Sequence, residues 1–133
     1  MMFRAFGHPN IKATHKNTIE FTKDEYLTPE GDCIVGIRAD FDAEKLTAFA
    51  KKYKFVKITI KTGGIAETIT AKTNPEFNDE KELVIRLGEH SSPRTFAVRA
   101  DKAAKHLNRE LIKALQMGSP LEIQILECDE NDK

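Results

Sequence analysis

The sequence predicts an α+β fold that is mainly β: an antiparallel β-sandwich or half-barrel of about eight strands with two flanking helices. Three observations lead there. Short segments alternate apolar and polar residues with a period of two, the mark of strands with one packed face. Thr62-Gly63-Gly64-Ile65 joins two such segments and reads as a two-residue hairpin turn, since both glycines can take positive φ. Only two stretches carry a helical period, and they are not spaced regularly between strands, which argues against a doubly wound parallel sheet.

In chain order, Met2 to Phe6 is a first strand, broken by Gly7-His8-Pro9-Asn10. Ile11 to Phe21 alternates and predicts a strand that turns His15 and Asn17 to the packed side. Thr22-Lys23-Asp24-Glu25 has the form of a capping box and predicts a helical turn ending at Leu27. Thr28-Pro29-Glu30-Gly31 is a turn, and Cys33 to Ala39 a central strand. Asp40 or Asp42 starts a helix whose Leu46, Phe49, Ala50 and Tyr53 form one apolar stripe. Phe55 to Lys61 and Ile65 to Lys72 are the arms of the hairpin. Leu83 to Leu87 and Arg94 to Arg99 are further strands around the polar loop Gly88 to Pro93. Asp101 is expected to cap the longest helix, running to Met117 and stopped by Gly118 and Pro120. Leu121 to Ile125 is the last strand. Residues 1–126 make one globular domain, and 127–133 a loose acidic tail.

Composition narrows the function classes. The chain has 133 residues, enough for one domain with a proper core, and 21 basic against 21 acidic residues give no net charge. A dedicated nucleic-acid binder carries an excess of positive charge, so that class is disfavoured here. No apolar run is long enough for a membrane helix and the N-terminal segment does not read as a signal peptide, which points to a cytoplasmic protein. Cys33 and Cys128 are too far apart for a secreted disulfide framework and are expected to be reduced. Monomer and homodimer both remain open, since a sheet with exposed edges can pair.

The polar residues concentrate between Gly7 and Gly36. His8 and His15, with Asp32, Cys33 or His90, offer imidazole, thiolate and carboxylate donors for a transition metal, although their spacing fits no common metal motif. The plainer alternative makes His15 a core histidine held by Asn17 or a backbone carbonyl, and His8 part of a turn. Cys33 follows an acid and begins a strand, which suits a buried packing residue better than a nucleophile. His15 paired with Asp32 or Glu20 would serve acid–base chemistry. Lys12 and Lys16 form a cationic strand face with Thr14 and Thr18, and Arg94, Arg99 and Lys102 flank the start of the expected long helix; both are candidate anion sites. No Gly-x-Ser-x-Gly and no phosphate-binding glycine loop is present.

The wording Gly7-His8-Pro9-Asn10, Thr14-His15-Lys16-Asn17-Thr18-Ile19-Glu20, Leu27 to Gly36, and Arg94-Thr95-Phe96-Ala97-Val98-Arg99-Ala100-Asp101-Lys102-Ala103-Ala104 resembles an archaeal family, the domain of unknown function 371. The resemblance spans Gly7 to about Ile125. It implies an archaeal cytoplasmic protein with a mainly β, sandwich-like fold, and it brings no catalytic residue with it. The leading expectation is a small domain that binds an anionic small molecule or a metal ion in a pocket gathering His8, His15, Thr18, Glu20, Asp32 and His90. An enzyme using His15 with Asp32 or Glu20 is the first alternative, and a nucleic-acid accessory domain using Lys12, Lys16, Arg94 and Arg99 the second.

Overall fold

Alternation sets which face each strand buries, and the strands share one core. The computed structural model describes residues 1–130. Eight strands form a single sheet: β1 (Met2–Phe6), β2 (Thr18–Thr22), β3 (Ile34–Gly36), β4 (Phe55–Thr62), β5 (Ile65–Thr73), β6 (Glu82–Arg86), β7 (Thr95–Val98) and β8 (Pro120–Glu127). Their order across the sheet is β1-β8-β4-β5-β7-β6-β2-β3. The pairs β2–β3 and β6–β7 are parallel and the others antiparallel, so the sheet is mixed. The sheet is open, and an isolated bridge links the end of β1 to the residue that follows β3. Phe6 and Ile37 exchange two backbone hydrogen bonds of 2.9 Å, and Asp40 N donates to Arg4 O at 3.0 Å. The arrangement is the half-barrel alternative, with one continuous sheet.

Two helices complete the fold. Helix α1 (Ala43–Lys52) starts at Asp42, whose carboxylate accepts from Lys45 N, and it buries Leu46, Phe49 and Ala50. Helix α2 (Arg109–Gln116) buries Leu111, Ile112 and Leu115 and packs over β3, β4 and β5. Phe21, Phe77 and Phe96 are among the largest fully buried side chains. Edge-on ring contacts link Phe3 to Phe21 and Phe77 to Phe96, the geometry favoured by the ring quadrupole. Gly63, at φ +56°, supplies the positive φ of the β4–β5 turn. Gly7 is required for a different reason: a Cβ there would lie 1.9 Å from the Leu115 carbonyl oxygen.

Four expected elements take another form. The strand from Ile11 to Phe21 is confined to β2, because Ala13 turns to φ +49° and breaks the extended run. Side chains replace the missing ladder. Gln116 Nε2 donates to Ile11 O at 2.7 Å, and the Arg109 guanidinium donates to the carbonyls of Lys12, Ala13, Ala104 and Leu107. Asn17 is therefore exposed rather than packed inward. No helical turn follows Thr22; its hydroxyl accepts from Asp24 N at 3.2 Å in a local turn. The strand expected from Cys33 to Ala39 shortens to β3. The long helix from Asp101 to Met117 reduces to a 3-10 turn (Ala104–His106) and α2, which Asn108 caps.

Asp101 is diverted because it closes a sheet edge. The β5–β7 pairing covers Lys72 and Thr73 of β5 and stops. Beyond it, Asp101 N donates to Thr70 O, and the Asp101 carboxylate accepts from Thr70 N and Thr70 Oγ1. One residue thus stands in for a strand. At the other end of the chain β8 includes Glu127, and Cys128 N donates to Phe55 O at 3.3 Å. Residues 131–133 of the expected loose tail lie outside the described residues. Cys33 and Cys128 are not joined in a disulfide. Among the described residues no helix is long and apolar enough to cross a membrane.

Candidate functional site

The strand period places the polar residues of β2 and β6 together, away from the core. In β2, Ile19 and Phe21 enter the core while Thr18, Glu20 and Thr22 take the opposite side. In β6, Leu83 and Ile85 enter the core while Glu82, Val84 and Arg86 oppose them. The antiparallel register sets Thr18 across from Arg86 and Glu20 across from Val84. Parallel pairing brings Thr95 of β7 opposite Val84. On the other flank Glu20 N donates to Cys33 O at 2.9 Å, so Cys33 lies beside Glu20.

Glu20 is the centre of this face and is only 5% exposed. Its Oε1 accepts from Cys33 Sγ at 3.6 Å and from Arg94 Nη1 at 3.4 Å. The same Arg94 nitrogen reaches Glu82 Oε2 at 3.2 Å. Burial pushes the Glu20 carboxyl up to about 8, and its hydrogen bond and like charge with Glu82 add to this; Arg94 and the Cys33 thiol oppose it less strongly. Glu20 therefore holds a proton at neutral pH. The Cys33 thiol is pushed up to about 12, by burial first and then by the charge and hydrogen bond of Glu20. It remains a thiol, half-buried and hydrogen-bonded to Glu20 rather than packed in the core.

A second polar group adjoins the first. Arg86 Nε donates to Thr95 Oγ1 at 3.2 Å and Arg86 Nη1 to Thr18 Oγ1 at 3.4 Å. Ser92 N donates to Thr95 Oγ1 at 3.2 Å, and the two hydroxyls lie 3.3 Å apart. The face thus carries the guanidinium groups of Arg86 and Arg94, the hydroxyls of Thr18, Ser92 and Thr95 around them, and the carboxyl groups of Glu20 and Glu82. The Arg94 side chain is 42% exposed, so part of its fork meets solvent.

Thr18, Glu20 and Arg94, drawn from two separate candidate groups, meet here. The others lie elsewhere. His8 Nδ1 accepts from Asn10 N at 3.0 Å, and His8 lines an open groove of about 350 Å³ with Glu25, Tyr26 and Arg38. His15 is half-buried in the loop before β2, and its Nδ1 accepts from Asn17 N at 3.1 Å. The Asp32 carbonyl accepts from the amides of Thr14 and His15, while Asp32 lines a second groove with Lys12, Thr14 and Glu30. His90 and Lys16 are exposed in loops. Arg99 faces Glu89 at 3.7 Å, and Lys102 Nζ donates to Thr68 O at 2.7 Å beside Glu67. Arg99 and Lys102 do not flank a helix start, because no helix begins at Asp101. Among the described residues no three His, Cys, Asp or Glu side chains come together as a metal site.

Glu82, Arg86, Ser92 and Thr95 were not singled out from sequence. The alternation of Glu82, Val84 and Arg86 about two core residues was legible. The β2–β6 pairing that sets Arg86 over Thr18 has no local signal, because strand order is decided by tertiary packing.

The mixed open sheet with this polar face defines a mainly β, α+β domain. The chain belongs to the family described as domain of unknown function (DUF371), whose model matches residues 3–128. It is similar to an uncharacterised protein of Methanocaldococcus jannaschii, with 37% identity over 134 residues, covering 94% of this chain and 97% of that protein.

Proposed function

We propose that the outer face of β2, β6 and β7 binds a small anionic ligand through Arg86 and Arg94. The observation that carries this reading is the convergence of Arg86 and Arg94 on one face beside the buried Glu20, whose carboxyl burial pushes up toward its neutral form. With Glu20 neutral, the two guanidinium groups are opposed by Glu82 alone. A carboxylate or phosphate group would fit the planar fork of a guanidinium, and the half-buried Ser92 hydroxyl can donate to it, while the buried Thr18 and Thr95 hydroxyls hold Arg86 in place. Burial of the neighbouring groups lowers the local dielectric and strengthens such contacts.

The charge balance makes affinity depend on pH. Ionisation of Glu20 adds a negative charge beside Arg94, so anion affinity falls as pH rises through about 8. The test is calorimetric titration of phosphate, sulfate and short carboxylates at pH 6.5 and pH 9, with Arg86→Gln and Arg94→Gln alongside. The reading expects binding at the lower pH that both substitutions remove. Binding insensitive to both substitutions, or absent for the whole panel, overturns it.

The raised Glu20 carboxyl also favours a second reading, acid–base catalysis centred on Glu20 in place of His15. Here Glu20→Gln would retain anion binding and lose turnover.

A further inference from the structure

The opposite side of the molecule carries a separate polar surface. The outward positions of β1, β8, β4 and β5 form one four-stranded antiparallel face. Their inward neighbours, including Ile58, Ile60, Ile69 and Ile123, make the core. Arg4, Lys57, Lys61 and Lys72 lie at outward positions, and Glu122 is the one acid among them. Among the described residues none of the four cations makes an ion pair. In a chain with no net charge this concentrates positive charge on one face. Asp40 and Asp101 border the face at its two edges, and backbone amides occupy both carboxylates.

The apolar groups on this face are also unusual. Six of the eight phenylalanines are buried. The two that remain half-buried, Phe6 and Phe55, are both at outward positions here, at opposite corners. Phe6 lines an open groove of about 420 Å³ with Arg4, Lys61, Pro120, Leu121 and Glu122, the last directly across the strands from both Arg4 and Lys61. The Arg38 guanidinium sits 4.3 Å from its ring centroid, a stacked planar cation. Between the corners lie Thr59, Thr68 and Gln124, whose side chains can donate and accept.

We infer that this face binds single-stranded nucleic acid. Four cations outside any ion pair among the described residues outnumber Glu122 and attract the phosphates, and the Arg38 guanidinium stacked on Phe6 and the half-buried Phe55 ring offer platforms for bases. Lys57 and Lys61, four residues apart on β4, are spaced about 13 Å along the strand, which reaches non-adjacent phosphates of an extended strand. Self-association through this face would bring like charges together. A duplex would leave the rings without bases to stack on. The inference does not depend on the anion site, which lies on other strands.

The test is fluorescence anisotropy with a labelled oligo-uridylate and a duplex of the same length. The wild-type protein should bind the single strand more tightly than the duplex, and its log affinity should fall with log salt at a slope of about −3, the value for four phosphate contacts. Lys57→Glu/Lys61→Glu should weaken binding by about tenfold or more, and Arg4→Gln/Lys72→Gln should weaken it less while preserving the melting temperature. Phe55→Ala should lower affinity without changing the salt slope. Lys113→Gln, on α2 and away from this face, should leave binding unchanged. Absent binding at low salt, equal binding of duplex, or affinity unchanged in both charge variants overturns the inference.

Discussion

Glu20→Gln isolates the buried proton. Gln is the isostere of a protonated Glu: its oxygen can accept from Cys33 and Arg94, and its amide can donate to Glu82. The folded protein holds the Glu20 proton up to about 8, whereas an unfolded chain releases it near 4.5. Between those values the folded state binds more protons than the unfolded state, so the contribution is fully present below about 4.5 and is lost as pH rises to about 8. The full span corresponds to roughly 4–5 kcal/mol as an upper bound, and the interaction with Glu82 reduces what Glu20 alone contributes. Urea unfolding of wild type and variant at each pH from 5 to 9 measures the difference, in which the titration of all other groups cancels to first order. At pH 5 the two should agree within about 1 kcal/mol. By pH 8 the variant should be the more stable, with the gap growing by up to about 1.4 kcal/mol per pH unit. A variant that loses more stability at pH 8 than at pH 5 would show that Glu20 is ionised in the fold, and the reasoning fails.

Three other outcomes follow from the packing. Gly7→Ala should cost about 3 kcal/mol or more, because backbone at Leu115 cannot withdraw as a side chain could; thermal unfolding reads this directly. Arg109→Ala should cost about 2–3 kcal/mol and raise amide exchange at Thr14 and His15, since the carbonyls of Lys12, Ala13 and Ala104 lose their donor. In a Cys128→Ser background, Cys33 should resist thiol-specific labelling at pH 8 until the protein unfolds, because its thiol is pushed up to about 12.

The local elements that formed as read are those whose signal lies within a few residues. The Gly63-Gly64 hairpin, Asp42 at the start of α1 and the alternation of β4 and β8 are such cases. Two of the differences share a cause: a distant group competes for the backbone. Ile11 to Asn17 alternates like a strand, but Arg109 and Gln116 take its carbonyls from about a hundred residues away. Asp101 has the chemistry of a helix cap, and the unpaired edge of β5 claims it. The candidate site divides in the same way. Thr18 and Glu20 stand out in sequence only as members of the polar Gly7–Gly36 stretch, and Arg94 only as one of the cations before Asp101. Their convergence with Arg86 and Thr95 depends on strand order, which alternation does not specify. His8, His15 and Asp32 attracted attention by residue type, yet their recorded bonds organise loops.

The central claim is that a proton on Glu20 leaves Arg86 and Arg94 available to an anion. Carbon-detected NMR of the Glu20 side-chain carboxyl, titrated by pH with and without saturating phosphate, tests it most directly. The account predicts a midpoint near 8 that rises further when phosphate is bound and that does so in wild type but not in Arg94→Gln. A Glu20 midpoint in the ordinary carboxylate range, unmoved by phosphate, contradicts it.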